Sequence, residues 1–276
     1  MRPDGIRVRG EDAMYQLIPY FLTKRYDAMN MITVDIPMEP IHDYMNLKRS
    51  EGKHYSYLTV LLAAYVRMVY EFPSLNRFVG NRKIYEHTEF SVAMVVLRPG
   101  EDDNTISKIR FELTDDIDTV NRKLMEYITE NRKDNNDNDL DVIMHKLLSV
   151  PGLMRFLIGI VWFLEKHNML PKKLCDASPF HASVLISNLA SIRSNHIYHH
   201  VYQFGSTSIA LTVGNMREVP RRTREGIVHD RCLPLGIVMD ERICSGHYYI
   251  RAFNVLKKYL KNPELLEVPP EPKKED

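Results

Sequence analysis

Residues 233–249 are the part of the chain best placed to do chemistry. Their apolar first half predicts a strand that ends at Met239 or Asp240, and residues 246–260 have the spacing of a helix. A tight corner between a buried strand and a helix holds a side chain on a rigid mount, as a catalytic group requires. We therefore take the corner between this strand and this helix as the candidate site.

Other reactive residue types are scattered. Cys175, Cys232 and Cys244 lie far apart and form no C-x-x-C pair, so we expect neither a zinc site nor a disulfide framework. His199 and His200 are adjacent rather than at metal-ligand spacing. The sequence therefore predicts no metal.

The composition favours a soluble folded protein without a nucleic-acid partner. The chain has 276 residues, 44% of them hydrophobic, which is enough for a sizeable core. Lys and Arg number 37 against 36 Asp and Glu, so the net charge is +1 and nucleic acid is not expected. The basic cluster at residues 217–224 has two interpretations, a solvated loop or a site for a phosphate-bearing ligand such as coenzyme A.

No signal-like pattern opens the chain, so a cytoplasmic location is the default expectation. The longest apolar run, residues 156–164, lies between Arg155 and Glu165 and is too short to span a bilayer. We expect this run to be a helix buried in an assembly, with no membrane partner. Peripheral membrane association through residues 147–164 is the alternative.

The predicted elements mix strands and helices without regular alternation. Alternating or continuous apolar runs predict strands at residues 31–40, 78–85 (two short strands), 90–97, 106–113, 183–189, 206–213 and 233–239. Helical spacing predicts helices at residues 13–20, 42–52, 57–72, 116–131, 140–170 (broken near Pro151) and 246–260. This order favours the α+β class, a two-layer mixed β-sheet with helices.

Four segments share their order and spacing with one known family. They are FPSLNRFVGNRKIY at 72–85, LISNLASI at 185–192, FGSTSIALTVG at 204–214, and DERICSG at 240–246 with the helix that follows. Together they resemble the catalytic domain of the dihydrolipoyl acyltransferases of 2-oxo-acid dehydrogenase complexes. Chloramphenicol acetyltransferase shares that fold, and the likeness spans about residues 14–266.

The resemblance implies one catalytic domain over residues 1–267 with a chloramphenicol acetyltransferase-like fold. Residues 140–179 exceed what the family needs and are interpreted as a helical elaboration, and residues 268–276 as a disordered tail. The lipoyl and subunit-binding domains that usually precede this domain are not found in the sequence, so no attached lipoyl group is expected. The resemblance also implies a homotrimer, or a larger assembly, with active sites between subunits.

In that family an acyl group moves between the coenzyme A thioester and a thiol or hydroxyl acceptor. A histidine acts as general base, and a serine or threonine hydroxyl donates to the tetrahedral oxyanion. By position the histidine falls on Glu241, a nearby aspartate falls on Ser245, and the oxyanion donor falls on Ser187. The remaining motif residues are Asp240, Arg242 and Gly246, with His247 and the Tyr248–Tyr249 pair directly after.

Each candidate residue also has a structural interpretation. Glu241 is either a replacement base, since burial can raise the pKa of a carboxyl group, or a structural residue paired with Arg242 or another arginine. Ser187 is either the oxyanion donor or a strand-end serine bonded to the backbone. His247 is either near the site or a packing histidine.

Two functions follow from the resemblance. The first is a coenzyme A-dependent acyltransferase with an altered active site, which uses a small-molecule acyl donor. The alternative is a non-catalytic relative that serves as a trimeric or cage-forming scaffold or as a ligand-binding module.

Overall fold

The computed structural model describes residues 2–10, 12–97, 104–131 and 151–271. The strands of this part are β1 (Gly5–Arg7), β2 (Met29–Pro37), β3 (Arg77–Gly80), β4 (Lys83–His87), β5 (Phe90–Leu97), β6 (Asn104–Phe111), β7 (Val184–Asn188), β8 (Ile209–Val213), β9 (Arg217–Arg222) and β10 (Ile227–Asp240). Its α-helices are α1 (Ala13–Phe21), α2 (Glu39–Ser50), α3 (Tyr57–Glu71), α4 (Ile117–Asn131), α5 (Leu153–Lys166), α6 (Lys172–Ala177) and α7 (Gly246–Lys261).

The main sheet is mixed, as predicted. Its strand order is β2-β10-β8-β7-β5-β6, and β9 forms a hairpin with the first half of β10. Strand β7 runs parallel to both β5 and β8, and the other pairs are antiparallel. A second, three-stranded sheet has the order β1-β4-β3. The predicted two-layer mixed-sheet class is therefore confirmed.

Helix α3 forms the centre of the layer that covers one face of the main sheet. A capping box of Ser56 and Thr59 begins the helix, and Pro73 follows its end. Residues 58–69 are all buried, because the sheet lies on one side of α3 and helices α2, α4 and α7 lie on the other sides.

An irregular segment, residues 192–206, crosses the opposite face of the sheet. Ile197 N donates to Thr212 Oγ1 at 3.2 Å, and Thr33 Oγ1 lies 3.0 Å from His196 Nε2. The segment approaches closely because Gly214 and Gly236 carry no side chain; a Cβ on either glycine would collide with its backbone. The covered face is therefore fixed by main-chain contacts rather than by a second helix layer.

Some predicted elements need correction or fall outside the described residues. The basic cluster at 217–224, interpreted as a solvated loop, begins with strand β9 and continues into its turn. The first part of the predicted helix over 140–170 lies outside the described residues, which resume at residue 151. The described part contains α5, which begins at Leu153. Residues 272–276 of the predicted disordered tail also lie outside the described residues. The start of that tail is held in place, because Arg67 Nη2 donates to Val268 O at 2.6 Å. Among the described residues, no helix is long and apolar enough to cross a bilayer.

His87, at the end of β4, is a buried neutral histidine. Its ring centroid lies 4.5 Å from that of Phe78, and its Nε2 lies 3.3 Å from the Ser206 carbonyl oxygen. Burial lowers the pKa of His87 to about 3 from the ordinary value of 6.5. The folded protein therefore binds fewer protons than the unfolded chain between these values, so this histidine makes stability rise with pH across that window.

The His87→Gln variant is expected to lose this part of the pH dependence. Between pH 6.5 and 4.5 the wild-type free energy of unfolding should fall more steeply than that of the variant, by up to about 1.4 kcal/mol per pH unit. Urea titrations at the two pH values measure both slopes. Equal slopes would show that folding does not lower the pKa of His87.

Candidate active site

Strand β10 carries the candidate site at its C-terminal end. Its second half is buried because β2 and β8 pair with it on either side. Leu235, Ile237 and Met239 face the helix layer, and Val238 faces the other way. This central strand ends at Asp240, so the corner that follows is anchored by strands on both sides.

Asp240 and Arg242 form a buried ion pair across the corner. Asp240 is 0% exposed and Arg242 is 2% exposed. Asp240 Oδ1 accepts from Arg242 Nε at 2.8 Å and from its backbone N at 3.1 Å, while Oδ2 accepts from Nη2 at 2.6 Å. Bidentate contact of this kind fixes both side chains and the backbone between them.

Arg25 adds a second buried cation that the sequence did not reveal. It lies in a short 3-10 turn before β2, and its Nε donates to Asp240 Oδ2 at 3.3 Å. Its guanidinium also donates to the carbonyls of Tyr202 and Gly205. Burial lowers the pKa of Arg25 to about 10, with Arg242 adding to the effect. The Asp240 carboxylate thus connects the corner to Arg25, and Arg25 in turn connects the turn before β2 to the crossing segment.

The first turn of α7 completes the corner. Ser245 is the N-cap, and its side chain accepts from Tyr248 N at 3.2 Å. Tyr249 donates its hydroxyl to the Asp240 carbonyl at 2.9 Å, and burial raises the pKa of that hydroxyl well above its ordinary value. Packing does not require a glycine at position 246, since a Cβ there would have no heavy atom within 4 Å. His247 is exposed on the same turn.

Glu241 is exposed at the centre of this rigid corner. Its backbone N donates to the Ala28 carbonyl at 2.8 Å, so the main chain is held. Its carboxylate makes no hydrogen bond or ion pair within the described residues. The interpretation that Glu241 pairs with Arg242 is wrong, because Arg242 is engaged by Asp240 and the Leu22 carbonyl.

Ser187 lies in the same sheet but far from Glu241. It pairs in register with Thr212 of β8, which pairs in turn with Gly236 of β10. Glu241 is five residues beyond Gly236, so two strand spacings and five residues of rise separate the two side chains by roughly 20 Å. No group of one chain can contact both at once. Ser187 is half-buried, and its hydroxyl has no partner among the described residues.

The cysteines are not candidate nucleophiles. All three are free and buried. Burial raises the pKa of Cys175 and of Cys244 to about 12, so both are neutral thiols at pH 7.

One group of possible metal ligands occurs in the described part of the chain, away from the corner. Asp4, Cys175 and His181 offer atoms within 4.8 Å of one another. Arg2 donates to Asp4 at 2.6 Å, and both ring nitrogens of His181 lie within hydrogen-bonding distance of other side chains, one of them Glu165. The group is therefore satisfied by contacts within the protein.

A groove among the described residues also lies away from the corner. It has a volume of about 930 Å³ between the start of α2, the β9–β10 hairpin and the end of α7. Arg231, Lys257 and Lys261 line it together with the acidic Glu39 and Asp43. Arg231 is nine residues from the end of β10, about 30 Å of strand. This groove cannot hold a thioester that reacts at Glu241 of the same chain.

Comparison with known proteins identifies the fold. Residues 176–268 match the family model described as 2-oxoacid dehydrogenases acyltransferase (catalytic domain). A probable dihydrolipoamide acetyltransferase from Listeria monocytogenes is 14% identical and superposes with a TM-score of 0.59, covering 93% of this chain and 95% of that one. The chain has the acyltransferase fold.

Two further structures agree. Dihydrolipoamide acetyltransferase of Azotobacter vinelandii is 14% identical with a TM-score of 0.55, covering 94% of both chains. A chloramphenicol acetyltransferase is 12% identical with a TM-score of 0.58, covering 93% of this chain and 100% of its own. No curated protein sequence matches the chain. The predicted resemblance is confirmed, and the family match contains both Ser187 and Glu241.

Proposed function

We propose that the protein is a coenzyme A-dependent acyltransferase in which Glu241 takes the place of the usual histidine base. The observation that carries the proposal is the exposed carboxylate of Glu241, which has no partner among the described residues and lies on a corner fixed by buried ion pairs. A general base must be free to accept a proton and be held in place by its backbone.

Each step needs little from the protein beyond position. Glu241 accepts the proton of the acceptor thiol or hydroxyl, and the acceptor attacks the thioester carbonyl of acyl-coenzyme A. The Ser187 hydroxyl donates to the tetrahedral oxyanion. Collapse of the intermediate transfers the acyl group and expels the coenzyme A thiolate, which receives the proton from Glu241.

The reaction requires two copies of the chain. Because Ser187 and Glu241 of one chain are roughly 20 Å apart, the donor must come from a neighbouring subunit. A homotrimer or a larger cage would provide that arrangement. One matching structure, 14% identical over 94% of both chains with a TM-score of 0.55, is the cubic core of a pyruvate dehydrogenase multienzyme complex.

The Azotobacter protein supports the assignment of positions. In that protein a serine, a histidine and an asparagine have been studied for their roles in the catalytic mechanism, and the histidine and the asparagine are four residues apart. The same step separates Glu241 from Ser245. Here Ser245 caps α7, so in this chain it supports the corner.

A non-catalytic scaffold or ligand-binding module is the second candidate. It is favoured by the two positions on which the resemblance places the family's histidine and aspartate, since Glu241 and Ser245 occupy them and Ser245 is already engaged as a helix cap. In that case the protein assembles and consumes no thioester.

A panel of acyl-coenzyme A thioesters separates the two. The protein is incubated with each thioester, with and without dihydrolipoamide, and free thiol is measured against a protein-free blank. We expect acceptor-dependent thioester consumption for at least one acyl group. Blank rates throughout, from protein that assembles normally, would leave the scaffold as the function.

Mixed assemblies test whether the site is shared between chains. Glu241→Gln and Ser187→Ala are each expected to lower the rate of transfer by about 10²-fold or more. Co-expression of the two variants should restore about a quarter of the wild-type rate, because random mixing leaves both residues intact at one site in four. If the mixed oligomers regain no activity, the active site does not form between subunits.

A further inference from the structure

Helix α5 presents a broad apolar face to solvent. Its exposed apolar residues are Phe156 (66%), Ile158 (49%), Ile160 (41%), Trp162 (43%) and Phe163 (59%). At 100° per residue these positions span an arc of about 200°, more than half of the helix circumference. Such a face on a chain rich in charged residues marks a surface that binds something apolar.

The last turn of α5 is held firmly against the body of the protein. Glu165 is buried and accepts from Arg2 Nη2 at 2.8 Å, with His181 Nε2 at 3.2 Å from its other oxygen. The Trp162 ring packs edge-on against Phe204 at 5.3 Å. The exposed face therefore belongs to a helix with a fixed attachment, as a docking element requires.

The exposed charges beside this face are mainly cationic, and the one acid on α6, Asp176, lies 3.5 Å from Lys172 Nζ. Arg155 and Lys166 lie on the exposed arc near the two ends of the helix, and Lys172 and Lys173 follow on α6. All four are exposed. The acidic residue of the helix, Glu165, is turned inward and neutralised by Arg2. An apolar face with exposed cations at its margins is complementary to anionic lipid headgroups over acyl chains.

We propose that α5 docks the protein on anionic phospholipid membranes, lying in the interface with its exposed face in the acyl boundary. A partner protein that reads one stripe of a helix would cover about half of this arc, whereas lipid can surround all of it. The helix is fourteen residues long, about 21 Å, and so lies in the surface instead of crossing the bilayer. The inference is independent of the proposed acyl transfer.

Trp162 is the single tryptophan of the chain and reports directly on this helix. We expect vesicles of phosphatidylcholine with phosphatidylglycerol to shift its emission to the blue, and brominated acyl chains to quench it. Pure phosphatidylcholine vesicles should bind more weakly, and added salt should weaken binding to the anionic vesicles. The same vesicles should carry the full-length protein upward in a flotation gradient.

Matched isoleucine variants test the surface. Ile158→Asp should weaken vesicle binding about tenfold or more, because a charge replaces an isoleucine that inserts among the acyl chains. Ile250→Asp alters an isoleucine on α7 that is even more exposed (62%) and should bind as the wild type does. Circular dichroism spectra of the two variants are the control that shows whether both fold.

Two results would overturn the proposal. The first is unchanged Trp162 emission and no flotation with anionic vesicles. The second is Trp162 emission that is already blue-shifted without lipid, in an oligomer that Ile158→Asp dissociates. In that case a second copy of the chain covers α5.

Discussion

Replacing Glu241 with histidine is expected to raise the rate of acyl transfer about tenfold or more at pH 7. An imidazole has a pKa near the working pH and is the more efficient base, while the mount that holds the side chain is unchanged. The corner should tolerate the change because the Glu241 side chain is exposed and its carboxylate has no partner in the described residues. Thiol release from the thioester that the wild type uses best measures the gain.

His247→Ala is a suitable control, since that histidine lies six residues along the chain on the first turn of α7 and should not affect the rate. Unaltered stability of Glu241→His, checked by urea denaturation, would show that the comparison reports on chemistry. A histidine variant that is slower than the wild type, yet equally stable, would contradict the role of position 241 as the base.

Asp240→Asn is expected to cost about 3–5 kcal/mol of unfolding free energy. The carboxylate neutralises two buried arginines, Arg25 and Arg242, so its removal leaves two cations without a counter-charge in the interior. Their mutual repulsion and desolvation are then uncompensated. Urea denaturation of the purified variant measures the loss, and a largely insoluble product is the same result in extreme form.

Two further variants make this prediction specific. Asp35→Asn removes a carboxylate of similar contact geometry from the exposed pair with Arg217, and should cost about 1 kcal/mol or less. Arg25→Met leaves the neutral Asp240–Arg242 pair in place, and should cost less than Asp240→Asn. An Arg25→Met variant that is as unstable as Asp240→Asn would show that hydrogen bonds to the backbone, and not charge balance, stabilise the corner.

The sequence predicts the elements that carry strong periodicity. The apolar run before Asp240 and the helical spacing from Gly246 place the corner correctly, because both elements are buried on faces that local pattern reveals. The resemblance then supplied the family order of strands. Both signals are local or nearly so, and the mixed sheet followed from them.

The sequence does not predict the long-range contacts of the candidate site. Arg25 is more than two hundred residues from Asp240, and nothing in the pattern around it distinguishes a buried arginine from an exposed one. The separation of Ser187 from Glu241 depends on strand register, which only the paired sheet defines. The apolar run of α5 predicted a helix buried in an assembly, and its outer face is exposed in the single chain.

The proposed base is tested most directly by comparing wild-type protein with Glu241→Gln in one thiol-release assay. Glutamine keeps the shape of the side chain and cannot accept the proton. We predict acceptor-dependent thiol release by the wild type and a rate at or near the blank for the variant, at equal stability and equal oligomeric size. Equal rates for the two proteins would show that Glu241 is not the base.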